Sequence, residues 1–350
     1  MEDITFIVIS YERSLYLKRI TDYFAQTDAS IIVADGSAQP HPYTFSKQVR
    51  YFHRPDLNGP ERLSLALSLV ETTYVAACAD DDFLVLDGVA AAVDFLDGNE
   101  DYSCCQGLTL CYLIPEPGKL ALAPKYENLA LESLRRNFRD DVPYNRLESL
   151  FRNFMQWAWV IHRTEHYRNT IEIVRGLDRF HPSFSDRMIG FWAALQGNLK
   201  VLPKLVSVRE QAPPYIPYDQ SFCVVRDSRD SECMDDFENL YAYLDREWSR
   251  KFGDSIGADA ISELLSVYCE SIEPQNRPKV GQPGRLISFK DEDDREVVIM
   301  REFCGEIRQL MGSSQIEISD LSQLHKAIFS NFSPDMLVSK KYPNGDYPRI

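Results

Sequence analysis

The chain reads as an α/β protein: a mixed, mainly parallel sheet flanked by helices, followed by a helical C-terminal region. Three observations predict this class. Short apolar, β-branched runs alternate with helix-period segments through residues 1–210, and such alternation builds parallel sheets with right-handed crossovers. The first runs are apolar on both faces, as strands covered by helices on two sides must be. Polar or acidic groups recur where these runs stop, and in open α/β sheets ligands bind outside the carboxyl ends of the strands.

The elements follow in order. Ile4–Ser10 (ITFIVIS) is a central strand that gives way to Ser10-Tyr11-Glu12-Arg13. Ser14–Gln26 is a helix, with Leu15, Leu17, Ile20, Tyr23 and Phe24 at helical spacing. Ser30–Ala34 is a second strand closed by Asp35-Gly36-Ser37, and Val49–Phe52 a third. After the turn at Asn58-Gly59-Pro60, a helix over Glu61–Val70 turns Leu63, Ala66, Leu67 and Val70 inward. Tyr74–Ala79 is the fourth strand and runs into Asp80-Asp81-Asp82 before the chain returns to Phe83-Leu84-Val85-Leu86.

Three adjacent carboxylates repel one another unless water or a cation neutralises them. Hard divalent cations take oxygen ligands, commonly one or two carboxylates together with substrate phosphates. The plain alternative is a polar turn or helix cap, where Asp is common. Taken singly, Glu12, Asp35 and the triplet each fit that alternative. Their recurrence at successive strand ends points to one edge of the sheet as a binding site.

The ordered set is a strand, then Ser-Tyr-Glu-Arg; a strand ending in Asp-Gly-Ser; a helix after Gly59 bearing Arg62; and a strand ending in Asp-Asp-Asp. It resembles the nucleotide-sugar-binding half of GT-A glycosyltransferases, particularly the large family 2-like group. The resemblance implies a donor nucleotide site made of Ser10, Tyr11, Glu12, Arg13, Asp35, Arg62, Asp80 and Asp81, with Glu12 and Asp35 on base and ribose. It implies that Asp80 to Asp82 form the "DxD" element, Asp80 near the ribose and Asp82, with Asp80, on Mn²⁺ or Mg²⁺. Further along, His181-Pro182-Ser183-Phe184-Ser185-Asp186-Arg187 precedes an apolar helix over Met188–Leu195, then Gly197 and a strand ending at Pro203. The family carries its general base at this helix start, which makes Asp186 the catalytic candidate. The family's usual Glu-Asp pair is Ser185-Asp186 here, and either residue could equally be the helix N-cap.

Between these motifs, Asp87–Leu96 reads as a helix, Tyr102–Leu113 as a strand and Ile114–Lys125 as a loop rich in proline. Glu127–Arg139 reads as a helix whose Arg135, Arg136 and Arg139 face Asp140-Asp141, a solvated ion-pair surface before a phosphate site. Trp157, Trp159 and His162 lie in the aromatic run Phe154–His162. By the resemblance this run closes the acceptor side, where ring faces suit a sugar; two tryptophans filling a core are the equal alternative.

From residue 211 the character changes. The expected organisation is a glycosyltransferase-like domain over 1–210, a loop over 211–234 able to act as a lid, a helical region over 235–339 and an extended tail over 340–350. Helices are expected at Asp235–Phe252, Asp259–Ile272, Asp294–Met311 and Asp320–Phe329. That region packs on the sheet, shapes acceptor choice or supports a homo-oligomer.

A net charge of −15 argues against broad electrostatic binding to nucleic acid or anionic membrane. The eight cysteines show no zinc-like spacing, and reduced thiols in a cytoplasmic setting are the expectation. No apolar run has the length of a bilayer span. The expected activity is metal-dependent, inverting transfer of a sugar from a nucleotide-diphospho-sugar, UDP-sugars first, to a hydroxyl acceptor. Glycan, lipid-linked sugar, protein and modified nucleic acid all stand as acceptor classes. The alternatives are a non-catalytic sugar- or partner-binding module on the same fold and, behind it, a nucleotidyltransferase, against which the absence of a glycine-rich basic loop after the first strand speaks. A dinucleotide-binding dehydrogenase is disfavoured because no GxGxxG follows that strand.

Overall fold

The computed structural model describes residues 1–116, 119–122, 138–152, 157, 160–175, 182–210, 242, 244–257, 259–264 and 286–288; within these, 110–116, 119–122, 182–187 and 286–288 are described as backbone alone. The first half follows the expected alternation closely, with one short strand, β5, that was not expected: β1 Ile4–Ser10, α1 Ser14–Phe24, β2 Ser30–Asp35, β3 Val49–His53, α2 Gly59–Ser68, β4 Tyr74–Ala79, β5 Asp82–Leu84 and α3 Leu86–Asp97. Then come β6 Tyr102–Glu116, β7 Lys119–Leu122, α4 Pro143–Arg152, β8 Ile161–Arg163, α5 Thr164–Arg175, α6 Pro182–Gln196, β9 Asn198–Glu210 and β10 Leu286–Ser288.

One sheet joins all ten described strands, in the order β10-β7-β6-β8-β4-β1-β2-β3, with β9 added against β6 and β5 against β9. The ladders β1–β2, β1–β4, β2–β3 and β6–β9 are parallel and are the long ones. Those to β5, β7, β8 and β10 are short and antiparallel. This is the mixed, mainly parallel Rossmann-like arrangement expected of a GT-A fold. Two apolar layers form its core. Phe6, Leu17, Ile20, Phe24, Phe83, Val89 and Leu96 lie in one; Ile7, Leu63, Leu67, Leu147, Trp157, Phe191 and Trp192 lie in the other. Burying both faces is what requires the doubly apolar strands read from the sequence.

Several boundaries differ from expectation. The expected loop over Ile114–Lys125 is strand where it is described: β6 runs to Glu116, and Glu116 pairs with Lys119 of β7. Clustered Pro and Gly signal a turn without giving its length. The expected helix over Glu127–Arg139 lies mostly outside the described residues, and at its end Phe138 forms an antiparallel bridge with Leu199. Nor does β9 end at Pro203. It continues to Glu210 because the β6–β9 register slips between Gln106 and Leu108, so that the Pro203 stretch bulges opposite Gly107. A side chain at Gly107 would collide with the Lys204 carbonyl and stand 2.5 Å from Val206 Cγ2.

Helix α6 begins at Pro182 rather than near Met188. Proline suits a first helical turn, where its missing N–H loses no bond. The C-terminal third is described at helical runs 244–252 and 259–264 and at β10, which adds a strand to β7 between the helices expected at 259–272 and 294–311. The expected helices 294–311 and 320–329, the lid segment 211–234 and the tail lie outside the described residues. Among the described residues no helix is long and apolar enough to cross a membrane.

Candidate functional site

Strand register builds the site. Ser10 pairs with Asp35 across β1–β2, and Ile9 with Ala79 across β1–β4. Three neighbouring parallel strands therefore end level with one another. Ser10, Asp35 and Asp80 emerge side by side at the carboxyl edge, where the loops Tyr11–Arg13, Gly36–Ala38 and Asp80–Asp82 meet.

The β1–α1 loop holds the acidic triplet. Ser10 Oγ donates to Asp80 Oδ2 at 2.8 Å. The Tyr11 amide also donates to Asp80. Arg13 Nη1 reaches Asp80 Oδ1 at 3.4 Å and makes a close ion pair with Asp81. Asp82 pairs with Arg209 at the end of β9, Nε to Oδ2 at 3.0 Å. All three aspartates are buried. Burial first, and the neighbouring Asp81 charge, push Asp80 up to about 7, with Arg13 and Ser10 opposing. Asp82 is likewise pushed up to about 7 by burial, with Arg209 opposing most strongly. Two buried carboxyls thus meet at one strand end, Asp80 paired with Arg13 and Asp82 with Arg209.

A second group surrounds Asp35, which is fully buried. The Ser37 amide and hydroxyl both donate to Asp35 Oδ1, at 2.9 and 2.6 Å. Tyr51 OH donates to Oδ2 at 2.7 Å. The Glu12 amide donates to Ser37 Oγ at 2.8 Å, and Glu12 Oε1 accepts from the Ala38 amide at 2.6 Å. Glu12 has φ 56°, the single positive φ among described non-glycine residues. That conformation costs free energy and persists where surrounding contacts enforce it, often at functional sites. The Glu12 carboxylate thus commits one oxygen to holding the Gly36–Ala38 turn.

Arg62 comes from the first turns of α2, which a reciprocal capping box fixes: Glu61 N donates to Asn58 Oδ1 and Asn58 N to Glu61 Oε2, both at 2.9 Å. Its guanidinium lies over Gly36, where an added Cβ would stand 2.7 Å from Nη2 and overlap Cζ. Nη1 bonds the Leu57 carbonyl, while buried Nε has no partner among the described residues. Burial lowers this guanidinium from its ordinary value, with Asp35 opposing. Tyr11, 44% exposed, forms the rim beside it. Tyr11, Asp35 and Arg62 thus bring a ring, a buried carboxylate and a guanidinium near one another.

The aromatic run behaves otherwise. Trp157 is 0% exposed, edge-on to Phe138 at 5.6 Å, and its Nε1 has no hydrogen-bond partner among the described residues. His162 stacks on Tyr167 at 4.2 Å, and its Nε2–H donates to the Trp157 carbonyl at 2.9 Å. Burial lowers its pKa to about 3, so it stays neutral. Register places His162 opposite Val75, at the far end of β4 from Asp80. Both residues are core, a correction to their acceptor-side assignment. Sequence could not separate the two because an aromatic run looks the same beneath a surface as on it. Trp159 lies outside the described residues. Asp186 lies in the second turn of α6, so neither it nor Ser185 is the N-cap; its side chain is outside the described residues.

Sequence reading missed Arg209, Tyr51 and Ser37. Arg209 had a signal: Arg209-Glu210 closes an alternating strand, Leu205 to Val208, with two charges. Nothing in the sequence said that its partner was Asp82. As to a cation, the carboxylate oxygens of Asp80 and Asp82 are the hard donors Mn²⁺ or Mg²⁺ prefers. Among the described residues no three His, Cys, Asp or Glu side chains converge into a metal cage.

No family model matches this chain, and no curated protein matches it. Among solved structures, it is similar to S. aureus TarS residues 1–349, at 14% identity and TM-score 0.47, covering 99% of this chain and 93% of that one. The same fragment in complex with UDP-GlcNAc gives 14% identity and TM-score 0.43 over the same shares. Against a longer TarS structure identity is 13% and TM-score 0.43; 93% of this chain is covered, and the match spans 52% of TarS.

Proposed function

We propose that this protein transfers a sugar from a nucleoside-diphosphate sugar to a hydroxyl acceptor, with inversion at the anomeric carbon. The observation that carries the reading is the convergence of Asp35, Arg62 and the Asp80–Asp82 triplet at the carboxyl edge of adjacent parallel strands, the position where such sheets bind nucleotides. In this reading Tyr11, Asp35 and Arg62 contact base and ribose, and Ser37 and Tyr51 fix the Asp35 carboxylate in place. Ser10 and Arg13 orient Asp80 and Asp81.

Asp82 and Asp80 would hold Mn²⁺ or Mg²⁺, which when bound offsets the charge developing on the departing nucleotide. Arg13 and Arg209 keep the carboxylates paired before a donor enters. Asp186 is the proposed base: its carboxylate takes the acceptor proton as the hydroxyl attacks from the face opposite the leaving group.

Titration with UDP and Mn²⁺, then with UDP-sugars, tests the donor assignment. D82A should lose the Mn²⁺-dependent part of UDP binding. D186N should keep UDP binding and lose transfer. Full transfer activity in either variant would remove that residue's role. The second reading, a non-catalytic binding module on the same fold, predicts no free UDP from a UDP-sugar with Mn²⁺ under any acceptor screen.

A further inference from the structure

Beneath the acidic triplet lies a second charge pair that takes no direct part in the site. Arg19 on α1 and Glu210 at the end of β9 form an ion pair, Nη2 to Oε2 at 2.7 Å, with side-chain exposures of 0% and 1%. Tyr16 OH donates to the other Glu210 oxygen at 3.5 Å. The Arg19 guanidinium also stacks between two rings, 4.9 Å from the Tyr16 centroid and 5.0 Å from that of Phe83. A fully buried ion pair is costly to desolvate and is weak evidence for stability. Its placement suggests another use.

Glu210 follows Arg209, and Phe83 follows Asp82. A single guanidinium therefore grips the residue after each member of the Arg209–Asp82 pair, and β5–β9 register sets those two members opposite each other. Successive side chains on a strand point to opposite faces, so anchoring Glu210 inward turns Arg209 outward to the triplet, where it is 28% exposed. The same guanidinium meets Tyr16, whose ring lies 5.8 Å from the Arg13 guanidinium that pairs with Asp80 and Asp81. The two arginines on the triplet thus share one buried support.

We propose that Arg19 and Glu210 are positioning residues that hold Arg209 on Asp82 and so set the charge balance of the acidic triplet. The proposal deepens the nucleotide-sugar reading, on which its functional consequence rests. Replacing the pair by apolar residues of similar size, R19M/E210L, removes both charges together, and E210Q is a milder change that leaves Arg19 an acceptor.

Two measurements test it. The first is the NMR signal of the Arg209 Nε–H, assigned through R209K. In the wild type it should exchange slowly because it donates to Asp82; in R19M/E210L it should collapse toward that of a free arginine, and in E210Q it should move part of the way. This readout needs no nucleotide, and a purely structural role would not move it in a variant whose circular dichroism is unchanged. The second is a double-mutant cycle on UDP affinity with Mn²⁺. R209A should weaken binding about tenfold in the wild type and less than twofold in R19M/E210L.

An unchanged Arg209 signal in both variants overturns the proposal, as do equal R209A effects in the two backgrounds. If R19M/E210L fails to fold, E210Q carries both readouts, and no change in either overturns it. If wild-type protein binds no UDP while the Arg209 signal still responds, the nucleotide reading fails and the positioning role stands.

Discussion

Replacing Asp82 by asparagine should make the folded protein more stable above neutral pH while abolishing the activity proposed for the site. Burial pushes this carboxyl from the ordinary 3.8 to about 7, against the pull of Arg209, with the Asp81 charge adding to the rise. Between those two values the folded state binds a proton that the unfolded chain has released. The contribution of this group to stability is therefore greatest at low pH and falls as pH rises through the window from about 4 to 7. At pH 8 the ionised carboxylate costs up to roughly 4 kcal/mol, taking about 1.4 kcal/mol for each tenfold change. Asp80 is raised in the same way, and neighbouring acids share such a cost, since ionising one raises its partner further. Asparagine is also a weaker acceptor for Arg209. The net gain expected for D82N is about 1–3 kcal/mol at pH 8, shrinking toward zero by pH 5. Urea unfolding of both proteins from pH 5 to 8, followed by circular dichroism, measures it. A D82N protein no more stable than the wild type at pH 8, or one whose advantage is the same at pH 5, would refute the electrostatic reasoning.

Further predictions concern the neighbouring residues. Adding Mn²⁺ should raise the wild-type thermal midpoint more at pH 8 than at pH 6, because a cation requires ionised carboxylates; D82N should respond at neither pH. G36A places a methyl group against the Arg62 guanidinium, and calorimetry should show UDP affinity falling about tenfold or more with little change in unfolding midpoint, since a side chain can move where backbone cannot. G88A is the reverse case: its Cβ would meet the Leu205 carbonyl and stand 2.9 Å from Val206 Cα, so denaturant unfolding should show a loss of about 1–3 kcal/mol or more. W157F removes a buried N–H that has no partner among the described residues together with some core volume. Stability should fall by less than about 2 kcal/mol, and unchanged UDP affinity would agree with its place in the core.

Much of the site was legible in the sequence because it depends on strand ends. An apolar run stopping at Asp80 or Asp35 announces a carboxyl edge, and parallel alternation places those edges together without any long-range information. Proline was less readable. Pro203 looked like a strand terminus, yet the strand passes through because Gly107 on β6 leaves room for a bulge, and that fact lies almost a hundred residues away in the chain. Pro182 reads as a helix start only once the helix is known to include Ser185 and Asp186.

By itself the sequence determined the α/β class, the order of the first six elements and which carboxylates share an edge, since local periodicity and chain connectivity specify all three. Tertiary structure decided partnership. Arg209 finds Asp82 and Arg19 finds Glu210 across separations of 127 and 191 residues, through strand register and helix packing that no local pattern encodes. It also decided burial, which takes Trp157 and His162 into the core and raises Asp80 and Asp82 toward neutrality, because the dielectric around a side chain depends on everything packed against it.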